Sequence, residues 1–298
     1  MLYFILITDS QQMHNLYNIF LHLNTKHVQQ QGDRMRRHTT SDVPLHYLDL
    51  GKQQGEPVFL LHGLGSCAED WRPQIDALGS SYRLIVPDLR GHGASPAPNG
   101  DWQIGDFAND LFNLMDQLDV PRAHIVGFSL GGMVGLEMAN RAPGRVASLC
   151  LINSQPFQGS KPAALLFAYW LRRTVIATFG LKAMGKIIGK KLFPDPAQQA
   201  LVERFATQMA GMDKRAYLAA LDAIFHWDID IHFQALAMPV LIMAADQDYT
   251  PVASKRAFAA QFQQCEIEII ANSRHATPLD QAQRVNTLLQ SFLTINSK

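Results

Sequence analysis

The sequence predicts an α/β protein built on a mostly parallel, doubly wound sheet with a helical insertion. Three observations predict it. Short unbroken apolar runs recur along the chain, at Val58 to Leu61, Arg83 to Val86, His124 to Val126, Ser148 to Ile152, Val240 to Met243 and Ile267 to Ile270. Segments with helical spacing separate several of them, such as Phe107, Leu111, Leu114, Met115 and Leu118. From about residue 154 to 233 the strand runs stop and long helical patterns take over. An unbroken apolar run suits a strand buried on both faces, the condition of parallel strands covered by helices. Strands alternating with helices make βα units, whose sites collect beyond the carboxyl ends of the strands.

Taken in order, residues 1–34 are rich in Gln, Asn and His, lack regular patterning and end in a basic cluster at Arg34, Arg36 and Arg37. They read as an N-terminal extension ahead of Met35. Residues 35–153 form the first part of the α/β core, opening with the imperfect alternation of Val43 to Leu50 and a turn at Gly51 and Gly55. Residues 154–235 are the helical insertion, with helices expected over Ala163 to Phe179, Pro196 to Met212 and Ala216 to Phe225. Residues 236–298 complete the core.

The bulk properties exclude several classes. At 298 residues, 47% hydrophobic and 17% charged, the chain suits a soluble globular protein able to bury roughly 75% of its unfolded surface. Twenty-six Lys and Arg balance twenty-six Asp and Glu, so the basic footprint of a nucleic-acid partner is missing. Cys67, Cys150 and Cys265 are too few and too scattered for a disulfide framework or a zinc cluster, and a cytoplasmic location is expected. The apolar run Met1 to Ile7 is too short to span a bilayer and lacks the basic start of a secretory leader.

The chemistry starts at Val126-Gly127-Phe128-Ser129-Leu130-Gly131-Gly132, directly after an apolar run and at the head of an apolar, small-residue helix. Strand, sharp turn and helix are the context that a Gly-x-Ser-x-Gly nucleophile elbow requires. Its glycines give the turn room, and the helix N-terminus favours negative charge developing beside Ser129. A serine hydroxyl needs a base, and the base needs an orienting group. Asp246 and Asp248 follow the run ending at Met243, and His275 follows the run ending at Ile270, so the acid is one of two carboxylates and the base is His275. The order serine, acid, histidine matches the hydrolase arrangement. His62-Gly63-Leu64-Gly65 follows the run ending at Leu61, and its loop can aim the Leu64 N–H at a carbonyl oxygen, with the Leu130 N–H as second donor.

These motifs, together with Asp88-Leu89-Arg90-Gly91-His92-Gly93-Ala94-Ser95, occur in the order found in the α/β-hydrolase superfamily, and the chain from about residue 43 onward resembles its cap-bearing, esterase-like members. The resemblance implies an α/β-hydrolase fold whose insertion is a helical cap, no cofactor or metal, and a serine esterase acting on a small-molecule ester through Ser129, Asp248 and His275; the alternatives on the same fold are thioester, amide or carbon–carbon hydrolysis, a cofactor-free haloperoxidase-like activity, or a non-catalytic ligand-binding receptor. It favours Asp248 because family members place the acid a few residues before a proline, here Pro251. It implies a structural role for the Asp88 to Ser95 loop.

Other features have plainer readings. The run His226-Trp227-Asp228-Ile229-Asp230-Ile231-His232 would align two histidines and two aspartates if extended, but its place at the insertion's return reads as a polar hinge. Cys67, near the oxyanion loop, reads as a packing residue. Lys182, Lys186 and Lys190 share one helical face and could touch anionic lipid, although a solvated lysine face accounts for them better. Among Phe157, Leu165, Leu166, Phe167, Tyr169, Trp170, Val175, Ile176 and Phe179, some are expected to roof an apolar acyl or aromatic pocket.

Overall fold

The computed structural model describes residues 43–156, 161 and 163–297; the 1–34 extension and Phe157 lie outside them. Seven strands form one sheet: β1 (Tyr47–Gly51), β2 (Pro57–Leu61), β3 (Arg83–Pro87), β4 (Ala123–Phe128), β5 (Val146–Ile152), β6 (Val240–Ala245) and β7 (Cys265–Ile270). Their order is β1-β3-β2-β4-β5-β6-β7, with β1 antiparallel to β3 and every other neighbour parallel. Each apolar run of the sequence is a strand of this sheet. The alternating segment at Val43 to Leu50 supplies the partly exposed edge strand β1, tied to β3 by a paired Arg83–Asp49 contact at 2.7 and 3.1 Å.

Because side chains alternate along a strand, an unbroken apolar run feeds two cores at once. Phe59, Leu61, Ile85, Ile125, Leu149, Leu151 and Ile242 meet one face, where α2 (Ile104–Gln117), α3 (Leu130–Arg141) and α7 (Val252–Ala259) pack. Val58, Leu60, Leu84, Val86, Val126, Cys150, Leu241 and Met243 point the other way, onto α1 (Arg72–Leu78) and α9 (Ala282–Asn296). A four-residue turn of helix, α8 (Thr277–Asp280), precedes α9.

After β1 the chain runs through β2, crosses to β3 on one side and returns past β2 to β4 on the other. This reversal puts the loops after β2 and β4 side by side, at the kind of switch point where open α/β sheets carry their sites.

Between β5 and β6 the described chain is helical: α4 (Ala163–Leu192), α5 (Gln199–Ala210) and α6 (Lys214–His226). The helices run past the expected bounds at several ends. In α4 the helix is broken at Gly180, whose φ of 77° and ψ of 176° are non-helical. After the break Gly185 and Gly189 face α5, where a Cβ at Gly185 would stand 2.9 Å from the Ala206 Cα. Glycines that weaken a lone helix therefore let two helices approach closely. Lys182, Lys186 and Lys190 occupy the exposed side. Among the described residues no helix is long and apolar enough to cross a membrane.

Candidate active site

Ser129 sits between β4 and α3 with φ 51° and ψ −113°. Backbone angles of this kind are strained for a residue with a side chain, at about 1–3 kcal/mol, and persist only where the surroundings impose them. Here the surroundings are close-packed backbone: a Cβ on Gly131 would lie 2.1 Å from the Leu61 carbonyl oxygen, and one on Gly127 would lie 2.4 Å from that of Gly131. The Ser129 N–H donates to the Ile152 carbonyl at 3.0 Å, and its own carbonyl accepts from Ser154 Oγ at 2.7 Å. The turn is pinned from both sides, and the half-buried hydroxyl is left above the sheet.

That hydroxyl lies 2.9 Å from His275 Nε2, and His275 Nδ1 lies 2.6 Å from Asp248 Oδ1. The structure thus brings Ser129, His275 and Asp248 into one hydrogen-bonded row. Asp246 is elsewhere: its two carboxylate oxygens accept the N–H groups of Asn272 and Ser273, each at 3.0 Å. It secures the loop that carries His275 and leaves the ring to Asp248. The ring also stacks on Tyr249, with centroids 4.4 Å apart.

The second Asp248 oxygen shows what the sequence reading missed. Lys255 on α7 is 1% exposed, and its ammonium donates to Asp248 Oδ2 and, at 3.0 Å, to Asn153 Oδ1. Asn153, at the carboxyl end of β5 with φ 46°, also accepts from the Ala245 N–H and donates to the His275 carbonyl, both at 2.9 Å. One buried amide therefore ties together β5, β6 and the histidine loop. Burial works to raise the Asp248 pKa, but the contacts to His275 and Lys255 outweigh it and hold the carboxyl well below the ordinary range. The only signal for Lys255 was its place in the first turn after Pro251, which points that turn back at the acid.

The two expected oxyanion donors, Leu64 and Leu130, follow β2 and β4 in the chain. Leu130 opens α3, so its N–H has no acceptor within the helix. The loop bearing Leu64 lies beside β4 because Leu61 pairs with Gly127, and it is glycine-lined: a Cβ on Gly63 would come 2.8 Å from the Phe128 ring. His62 fixes this loop, its Nδ1 2.8 Å from the Gly63 carbonyl and its Nε2 accepting from the Leu89 N–H at 3.0 Å. From α5, Gln208 Nε2 donates to the Gly65 carbonyl at 3.2 Å and to Asp70 at 3.0 Å, and Arg204 pairs with Asp70 at 2.7 Å.

The remaining candidates have structural partners. Asp88 accepts the N–H groups of Ala68 and Ala94, and the buried Arg90 binds Asp110 through two bonds at 2.6 and 2.7 Å. His92 is buried, and burial pushes its pKa down to about 3. Burial likewise pushes the Cys67 thiol up to about 11, far from a nucleophile's range. The run from His226 to His232 ends α6 and continues as loop, where Trp227 is buried and donates to Glu137 at 3.1 Å. Of the residues nominated for a pocket roof, Leu166, Phe167, Trp170 and Phe179 are exposed, by 37 to 70%. Tyr169 and Ile176 are buried in a cluster with Met209 and Tyr217, against which Leu64 packs.

Comparison with known proteins agrees with this architecture. A family model described as the alpha/beta hydrolase fold matches residues 56–282. The chain is 33% identical over 262 residues to "Putative carbamate hydrolase RutD" of Variovorax paradoxus, covering 84% of this chain and 96% of that protein. It is 26% identical over 256 residues to 3-oxoadipate enol-lactonase 2 of Acinetobacter baylyi, covering 86% and 95%. Among solved structures, the enol-lactonase from Burkholderia xenovorans LB400 superposes with a TM-score of 0.78 at 25% identity, covering 85% of this chain and 97% of that one. A thermophilic esterase from Thermogutta terrifontis gives 0.77 at 25% identity, covering 87% and 96%.

Proposed function

The chain belongs to the α/β-hydrolase fold family, and from that premise we propose that it is a serine hydrolase cleaving a carboxylic ester through an acyl-enzyme. The observation that carries this reading is the row from Ser129 Oγ to His275 Nε2 and from His275 Nδ1 to Asp248. In it, His275 takes the serine proton as Ser129 Oγ attacks the carbonyl carbon. The buried, ionised Asp248 orients the ring and stabilises the imidazolium that forms. The N–H groups of Leu64 and Leu130 receive the charge on the carbonyl oxygen, a contribution of about 3 kcal/mol per donor in comparable sites. The imidazolium then protonates the departing alcohol. A water molecule, deprotonated by His275, attacks the acyl-enzyme and releases the acid and Ser129.

The helical insertion serves as a cap in this reading, supported by the packing of Leu64 against its buried cluster. The apolar character of that cluster suits a small to medium acyl or aromatic group. A cytoplasmic location fits the three free cysteines. The names of the relatives widen the substrates worth testing to carbamates and lactones, since each is attacked at a carbonyl by the same machinery. A burst of 4-nitrophenol from 4-nitrophenyl acetate and covalent labelling by a fluorophosphonate are expected, and both should vanish in Ser129→Ala. If the parent protein shows neither, the proposal is wrong.

A further inference from the structure

Among the described residues, the helical insertion keeps one polar pair without internal partners. Tyr217, on α6, is fully buried, yet its Oη meets no donor or acceptor among them. Arg172, on α4, has its Nε buried and equally unpartnered, and its guanidinium carbon lies 5.6 Å from the centroid of the Tyr217 ring. The next residue shows the contrast. Arg173 is occupied by the Asp222 carboxylate and the Tyr169 hydroxyl, whereas Arg172 has no ion pair among the described residues.

Two contacts bracket this pair with the reacting groups. Tyr217 belongs to the buried cluster against which Leu64 packs. Both Arg172 and Tyr217 lie within electrostatic reach of Tyr249, whose ring stacks on His275. The pair is thus linked to the Leu64 loop through this cluster and to His275 through Tyr249. Asp248, beside Tyr249, is matched by Lys255 and His275, and Arg172 is in no ion pair among the described residues.

Buried polar atoms without partners are uncommon in folded proteins, and a bound ligand is one of the things that completes them. A guanidinium offers a planar fork of N–H donors and a phenol adds one O–H, a set that suits a carboxylate. We propose that Arg172 and Tyr217 bind a carboxylate carried by the substrate, so that the preferred ester or lactone is an anionic one with a short apolar segment between its carboxylate and the scissile bond. This inference rests on the hydrolase reading for its substrate and on the unpartnered pair for its charge. A neutral substrate would leave both groups unmatched, and a site built for a polar group discriminates strongly against the analogue lacking it.

The test compares near-isosteric esters. One pair carries the charge on the acyl side, 4-nitrophenyl hydrogen glutarate against 4-nitrophenyl 5-methylhexanoate. The other carries it on the leaving group, the acetyl ester of 4-hydroxybenzoate against that of 4-hydroxyacetophenone. In one pair the carboxylate member should be favoured by about tenfold or more in kcat/KM. Arg172→Gln should abolish that preference, chiefly through KM, Tyr217→Phe should reduce it, and Arg172→Lys should keep part of it. A preference for the neutral member in both pairs, or a preference that survives Arg172→Gln, overturns the inference. Calorimetry with glutarate on Ser129→Ala protein separates the two readings. Binding that disappears on adding Arg172→Gln supports the carboxylate site even if no ester is cleaved, and no binding by a protein that does cleave esters refutes it.

Discussion

Replacing Asp248 by asparagine keeps the shape of the side chain and removes its charge, which separates two tasks of this carboxylate. One is structural. Asp248 and Lys255 pair with both side chains 1% exposed, so Asp248→Asn strands a buried ammonium whose remaining partner is Asn153 Oδ1. Breaking a buried pair from one side costs about 3–5 kcal/mol, and Lys255→Met should cost a similar amount from the other. The double variant Asp248→Asn/Lys255→Met removes both charges, so its stability should be no lower than that of either single variant, a coupling of about 3 kcal/mol. The second task is catalytic. An amide facing His275 Nδ1 fixes the wrong tautomer and lowers kcat about ten-thousandfold, and nothing in the double variant repairs it. Urea unfolding of the four proteins and steady-state turnover of 4-nitrophenyl acetate read the two tasks independently. Additive destabilisation in the double variant would refute the pairing argument, and restored turnover would refute the role given to Asp248.

Three further outcomes are expected. Ser129→Ala and His275→Ala should each lower kcat by several orders of magnitude and to a similar level, because they act as one proton-transfer unit; a Ser129→Ala protein keeping a tenth of the activity would contradict the elbow assignment. Asp246→Asn should weaken the two N–H bonds that hold the His275 loop, lowering stability by about 1–3 kcal/mol while leaving far more activity than Asp248→Asn, as melting and turnover would show. Acidification should destabilise the fold through His92. Burial holds its pKa near 3, against 6.5 for the free side chain, so the unfolded chain takes up a proton that the folded chain refuses. The contribution is complete above pH 6.5 and is lost as pH falls toward 3, on the order of 3 kcal/mol at pH 4. The melting temperature of His92→Gln should fall less steeply between pH 7 and 4.

What could be read from the sequence was whatever local chemistry dictates. Strands buried on two faces need continuous apolar runs, so six of the seven strands announce themselves. The elbow is equally local, because only glycine fits beside Ser129 where an added Cβ would meet backbone oxygens at 2.1 to 2.4 Å. Lys255 was hidden for the opposite reason. In the stretch Ser254-Lys255-Arg256 it looks like an ordinary surface lysine, and only the packing of α7 on the sheet buries it. Asn153 shows no sign in the sequence of its function as a junction, which depends on five partners distant along the chain, Ala245, Lys255, Arg274, His275 and Thr277. The insertion shows the same limit. Helical spacing located its helices, but composition could not tell that Phe167 and Phe179 face outward while Tyr217 and Ile176 are buried in the cluster against which Leu64 packs.

The bonds from Gln208 and Arg204 on α5 to Gly65 and Asp70 have a mechanical consequence. A lid hinged free of its floor can rise and leave the catalytic groups as they were. Here the floor includes the loop that presents Leu64, and the same Asp70 that holds Arg204 and Gln208 also accepts from Ser66 Oγ at 2.6 Å. Lifting α5 would therefore slacken the loop that presents Leu64. Under the proposed hydrolase reading, whatever moves α5 also moves the donor that would face the carbonyl oxygen.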